Sequence, residues 1–90
     1  MPTKSKPELV QFYSDWCGPC QAMKPIIAEI KKEMGDKITV TRYNVDKDAE
    51  KTQKYNIMSI PTFLIKKDGK VIKQLVGMQS KKKLIKKLSV

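Results

Sequence analysis

The first apolar run, ELVQFY at residues 8 to 13, is rich in β-branched and aromatic side chains and reads as a buried strand. From Gly18 the period switches. Met23, Ile26, Ile27, Ile30 and Met34 recur at intervals of three and four, the apolar stripe of one helix running from Gly18 to Met34. Pro19 falls in its first turn and Gly35 just past its end, where each is best tolerated. Pro25 lies inside the stripe, and its missing N–H and its bulk against the preceding turn predict a kink. In KITVTRYNV, residues 37 to 45, Ile38, Val40 and Arg42 alternate with Thr39, Thr41 and Tyr43 as on a strand, with the buried face left open. Asp46 is placed to cap a short helix ending near Tyr55. TFLIKKDGKVIKQLV, residues 62 to 76, is the clearest hairpin, two β-rich runs flanking Asp68-Gly69. Ser80 can cap a last helix with Leu84, Ile85 and Leu88 on its apolar edge.

The order is therefore β-α-β-α-β-β-α. A helix joins the first two strands, which predicts a parallel pair with a right-handed crossover, and the last two form an antiparallel hairpin. The packing that follows is an α/β fold: a four-stranded mixed sheet flanked by helices on both faces. No internal repeat is present, and 90 residues make one domain, with its core between about residues 8 and 88.

Composition narrows the classes. With 40% hydrophobic and 31% charged residues and few glycines and prolines, the chain is an ordinary globular protein. No apolar run approaches the ~20 residues of a membrane span. The leader MPTKSKPELV has lysines but no apolar stretch behind them, so no secretory signal is visible and we expect a cytoplasmic protein. The net charge of +10 could attract acidic proteins, nucleic acid or anionic lipid. Only one arginine, Arg42, is present, however, and no aromatic-interleaved basic strand, so nucleic-acid recognition is disfavoured. Lys81, Lys82 and Lys83 oppose the dipole at the start of the last helix and read as a solvated face.

Cys17 and Cys20 are the only cysteines, and histidine is absent. A structural zinc site wants four ligands, usually cysteine and histidine, and this chain supplies two thiols, so no metal is expected. As a staple the pair is weak: closing so short a loop stabilises by only about 2 kcal/mol, and a reducing compartment would open it. A redox dithiol fits the placement. The pair lies between a strand and a helix start, where unpaired N–H groups and the helix dipole stabilise a thiolate. A spacing of three puts both sulfurs on one helical face, with Gly18 and Pro19 holding the turn. Cys17, at the exposed helix start, is the expected attacking thiol, and Cys20, one turn in and more buried, the resolving one. No phosphate-cradling glycine loop is present for a nucleotide.

WCGPC after an apolar strand, SIPTF some forty residues later and KKDGKVIKQLVG after that resemble the thioredoxin family, over about Glu8 to Leu88. The resemblance implies a monomeric thiol–disulfide oxidoreductase that reduces protein disulfides through Cys17 and Cys20. It would need no cofactor beyond that disulfide and would take its electrons from a partner such as a thioredoxin reductase. Trp16 resembles the tryptophan of the docking surface beside the dithiol. Pro61 resembles the cis-proline that lies against the disulfide, and Pro25 the proline that kinks the active-site helix. Gly77 resembles the glycine that lets a substrate approach, and Ile60, Val76 and Met78 would line the same shallow apolar groove.

The chain departs from the family pattern in three respects: the Gln11–Arg42 pair, the start of the chain, and Tyr13. Gln11 stands where thioredoxins usually carry a buried aspartate beneath the dithiol, and an amide cannot act as a base at neutral pH. Arg42 takes the place of that aspartate's lysine neighbour, its charge free to favour the thiolates or to face solvent. A typical thioredoxin also has a further strand and helix before the strand at Glu8, so one sheet edge is expected to be less protected. Tyr13 replaces a second tryptophan, a change of packing. A competing reading keeps the fold as a protein-binding module that uses the apolar rim and basic surface; the intact WCGPC argues against it.

Overall fold

A computed structural model describes residues 6–89. β1 (Glu8–Tyr13) leads into α1 (Gly18–Met34), a short 3-10 turn and β2 (Thr39–Asn44). α2 (Ala49–Lys54), the hairpin of β3 (Thr62–Lys67) and β4 (Lys70–Val76), and α3 (Lys81–Leu88) follow. The sheet order is β2-β1-β3-β4, with β1 and β2 parallel and the β1–β3 and β3–β4 pairs antiparallel. This is the expected mixed four-stranded sheet.

Alternation along β1 divides its side chains between two cores. Leu9 joins Met23, Ile27 and Ile30 of α1, Phe63 and Ile65 of β3, and Leu84 and Leu88 of α3 on one face. Val10 and Phe12 turn to the other, where Leu64, Tyr43, Tyr55 and Ile57 pack beneath α2. The open question at β2 is resolved by sharing: Ile38 and Val40 serve the α1 face, Tyr43 the α2 face. Because both faces of β1 and β3 are covered, the middle of β3 reads as a continuous apolar run and that of β1 is interrupted only by Gln11.

The turn chemistry follows the residues. Asp68 and Gly69 both adopt positive φ, 56° and 79°, as the two-residue hairpin demands. α1 continues through Pro25 and ends at Gly35, whose φ of 54° suits a residue without Cβ. α2 starts later than its sequence suggests: Asp48, not Asp46, accepts the capping bond, from Lys51 N at 3.1 Å. Asp46 lies in the preceding turn, where Asn44 Oδ1 accepts its backbone N–H, and its carboxylate is used elsewhere.

α3 is held by three features. Ser80 Oγ accepts from Lys83 N at 3.1 Å, Leu84 and Leu88 are buried, and Lys81 is clasped by Glu29 and Glu33 of α1. Those carboxylates raise the Lys81 pKa and offset the poor placement of a cation at a helix start. Because α3 has only eight residues and no acidic residue in its first turn, its cap should matter. Ser80→Ala is expected to cost about 1 kcal/mol, a fall of about 4–8 °C in the thermal midpoint followed by circular dichroism.

Candidate active site

β1 ends at Tyr13, and a tight link carries the chain into α1: Cys17 N donates to Ser14 O at 3.4 Å and Gln21 N to Cys17 O at 3.1 Å. Cys17 is the helix N-cap, and its Sγ accepts from Cys20 N at 3.1 Å. The sulfur thus occupies the place that a serine or aspartate oxygen takes at most helix starts, facing the positive end of the helix. Cys17 and Cys20 are joined as a disulfide with their Cα atoms 5.2 Å apart. Cys17 is less accessible than its position suggests: 5% of its surface is exposed, against none of Cys20. The ordering is as expected, but Cys17 is itself buried.

Trp16 stands beside the pair, 72% exposed, and its indole Nε1 donates to Asp46 at 2.8 Å. The carboxylate that the sequence suggested as a helix cap therefore pins the tryptophan. The Ile60–Pro61 bond is cis, and the carbonyl of buried Pro61 accepts from Gly77 N at 2.8 Å, tying the end of β4 to the proline loop. Gly77 needs its lack of Cβ, since its φ is 88°, and the space a Cβ would enter is open. Val76 and Met78 on either side are exposed, as are Gly18 and Pro19 between the cysteines, whereas Ile60 is half-buried. Pro25 is exposed on α1.

Met58, 86% exposed, is a large apolar side chain of the site that motif reasoning passes over. With Trp16, Val45, Ile57 and Ile60 it walls a hollow of about 200 Å³. A signal was present: an apolar residue in the loop just before SIPT, with no helical or strand period to bury it. The Trp16–Asp46 bond, across 30 residues, left no such signal. Asp46→Ala should free the indole. Because Trp16 is the only tryptophan, faster decay of its fluorescence anisotropy would report this directly. Loss of one exposed charge-assisted bond, about 1.5 kcal/mol at the low end of the range for such bonds, implies a rise in KM for a protein disulfide of about tenfold.

Beneath the helix start, Gln11 is fully buried. Its Oε1 accepts from Arg42 Nε at 2.8 Å, and the Arg42 guanidinium lies over the Tyr13 ring, 4.1 Å from its centroid. Arg42 thus does not simply face solvent. Its charge is engaged by a neutral amide and an aromatic face. Gln11 Nε2, Arg42 Nη2 and Ser14 Oγ are buried without a hydrogen-bond partner. Among the described residues no group of three or more cysteine, aspartate or glutamate side chains is placed to hold a metal ion, and no helix is long and apolar enough to cross a membrane.

Comparison with known proteins gives one answer throughout. The thioredoxin family model matches residues 2–90. The thioredoxin of Alicyclobacillus acidocaldarius is 47% identical over 79 residues, spanning 88% of this chain and 75% of that protein. That of Bacillus subtilis (strain 168) is 43% identical over 76 residues, spanning 84% and 73%. Among solved structures, a mutant thioredoxin from Halobacterium salinarum NRC-1 superposes with a TM-score of 0.87 at 28% identity, covering 92% of this chain and 72% of that one. The cysteine pair at the head of α1 and these matches lead to the same place: the chain belongs to the thioredoxin family and is a thiol–disulfide oxidoreductase that reduces protein disulfides through Cys17 and Cys20.

Proposed function

We propose that Cys17 is the attacking thiol and Cys20 the resolving one, with the client chain seated on Trp16, Ile60, Val76 and Met78 and against Pro61 and Gly77. The observation that carries this is the Cys17 Sγ cap: the sulfur already accepts the Cys20 N–H at the positive end of α1, so a thiolate there gains a ready donor. Cys17 is also the cysteine of the pair that keeps some exposed surface. Cys17 thiolate attacks one sulfur of the client disulfide, forming a mixed disulfide and releasing the other as a thiolate. Cys20 then attacks Cys17 Sγ, closing the Cys17–Cys20 bond and releasing the second client sulfur. Two electrons pass to the client.

Gly77 leaves room for the client backbone, and the exposed apolar side chains give it a surface that excludes water. Gly18 and Pro19 form the tip of the turn that meets it. A two-electron donor of the thioredoxin reductase kind returns the pair to the dithiol, with no other cofactor, in a cytoplasmic, monomeric, single-domain protein. Pro25, Gln11 and Arg42 tune the helix and the buried sulfur. The order of attack is tested by trapping: Cys20→Ser should accumulate mixed disulfides between Cys17 and client proteins, visible by mass spectrometry and lost on reduction. Trapping by Cys17→Ser in place of Cys20→Ser would reverse the assignment, and equal trapping by both would overturn it.

A further inference from the structure

Charge is unevenly placed along the chain. Residues 62 to 88, the hairpin and α3, carry nine lysines against one acidic residue, Asp68, and so +8 of the net +10. Residues 1 to 61 come close to balance, with ten basic and eight acidic side chains. Within the basic half, Lys66 is paired with Glu8, and Lys81 with Glu29 and Glu33. Lys73, Lys82, Lys83, Lys86 and Lys87 form no ion pair among the described residues.

These five share one side of the molecule. Leu84 and Leu88 bury the apolar edge of α3 in the cluster it shares with α1 and β3. Lys82, Lys83, Lys86 and Lys87 border, with Ser80, a hollow of about 360 Å³. Lys73 lies opposite Ile65, a member of that cluster, and so stands on the same face of the sheet, at its β4 edge. Folding does not account for the pattern. Lys82 with Lys86, and Lys83 with Lys87, are like charges at i, i+4, which weaken a helix. The face does have a functional neighbour. Ser80 caps α3 only three residues after Gly77, so Lys82 lies within about 18 Å of the client seat.

We propose that this lysine face selects client proteins whose disulfide lies beside acidic residues, an inference that rests on the client seat at Val76, Gly77 and Met78. A carboxylate-rich segment next to the client disulfide is drawn in by the summed field of the lysines and held along α3 while the disulfide meets Cys17. Phosphate polyanions fit the face less well. It has no arginine, whose planar fork grips phosphate, and Arg42 is engaged with Gln11 and Tyr13. Trp16, the exposed aromatic that could stack on a base, stands bonded to the acidic Asp46. A bilayer fits no better, since Leu84 and Leu88 are spent in the core and leave α3 no apolar edge to insert. Carboxylates on a protein surface ask only for point charges, which lysine supplies.

The test compares two peptides closed by a disulfide, one with glutamates beside the cysteines and the other with glutamines at the same positions. At about 10 mM salt, where the screening length is about 30 Å, kcat/KM should favour the glutamate peptide by about tenfold. At about 1 M salt, with screening within about 3 Å, that preference should fall to about twofold or less. The combined variant Lys82→Gln, Lys83→Gln, Lys86→Gln and Lys87→Gln should lose it at low salt as well. Its thermal midpoint should be no lower than that of the parent, because lysine and glutamine are similar helix formers and the like-charge pairs are gone. Reduction of both peptides at one rate in low salt would overturn the proposal and leave the dithiol reading standing. A preference that survives in the variant would overturn it too. Reduction of neither peptide would overturn both readings. Tighter binding to an oligonucleotide or to phosphatidylserine vesicles than to the glutamate peptide at equal charge would assign the face to phosphate, and the proposal would fall.

Discussion

Cys17→Ser is expected to reduce the acceleration of insulin-disulfide reduction by dithiothreitol to the uncatalysed rate, while the protein stays folded. The hydroxyl of serine is far too weak an acid to ionise at a helix start, whereas a thiol of ordinary pKa about 8.5 needs only a modest shift to be half ionised at neutral pH. The cap geometry would survive, since serine Oγ accepts the Cys20 N–H as readily as sulfur does. The cost to stability is limited to the bond that closes the short loop, about 2 kcal/mol in the oxidised form. Loss of activity with retained circular dichroism is thus the expected pair of results. Substantial residual reductase activity would instead assign the attack to Cys20.

Phe63→Ala is expected to produce the largest loss of stability. Phe63 is fully buried near the start of β3, one of the two strands that pair on both sides, and lies in the cluster that joins α1 to α3. Truncation of a buried phenylalanine costs about 3–5 kcal/mol. A domain of this length has roughly 5–13 kcal/mol in all. The thermal midpoint should fall by at least 15 °C or so, followed by circular dichroism, and part of the population should unfold at 37 °C. A fall of only a few degrees would mean that the α1 and α3 side chains close the cavity. Neither α1 nor α3 could then be regarded as held to the sheet through this residue.

Much of this was legible in the chain. The i, i+3, i+4 stripe of α1, the alternation of β1 and the Asp68-Gly69 turn are local properties, in which the backbone's period and a left-handed turn each select their residues. The cysteine spacing, set between a strand and a helix, likewise announced its chemistry. Less legible was anything that depended on what stands opposite. Asp46 and Asp48 are equally good caps by type; only the turn after β2 decided that Asp48 caps α2 while Asp46 reaches Trp16.

Arg42 offers the same lesson. By sequence it is a charge near the site, and only the parallel register that sets it beside Gln11 turns it into the clamp of a buried amide. Sequence by itself determined the order of elements, the two-faced sheet and the place of the dithiol at a helix start, because periodicity, turn conformation and capping act within a few residues. Tertiary structure alone decided how far Cys17 is buried, that Met58 walls a hollow beside Trp16, and which way the Gln11 amide faces. Those outcomes depend on hydrogen-bond donors and packed surfaces brought together from distant parts of the chain.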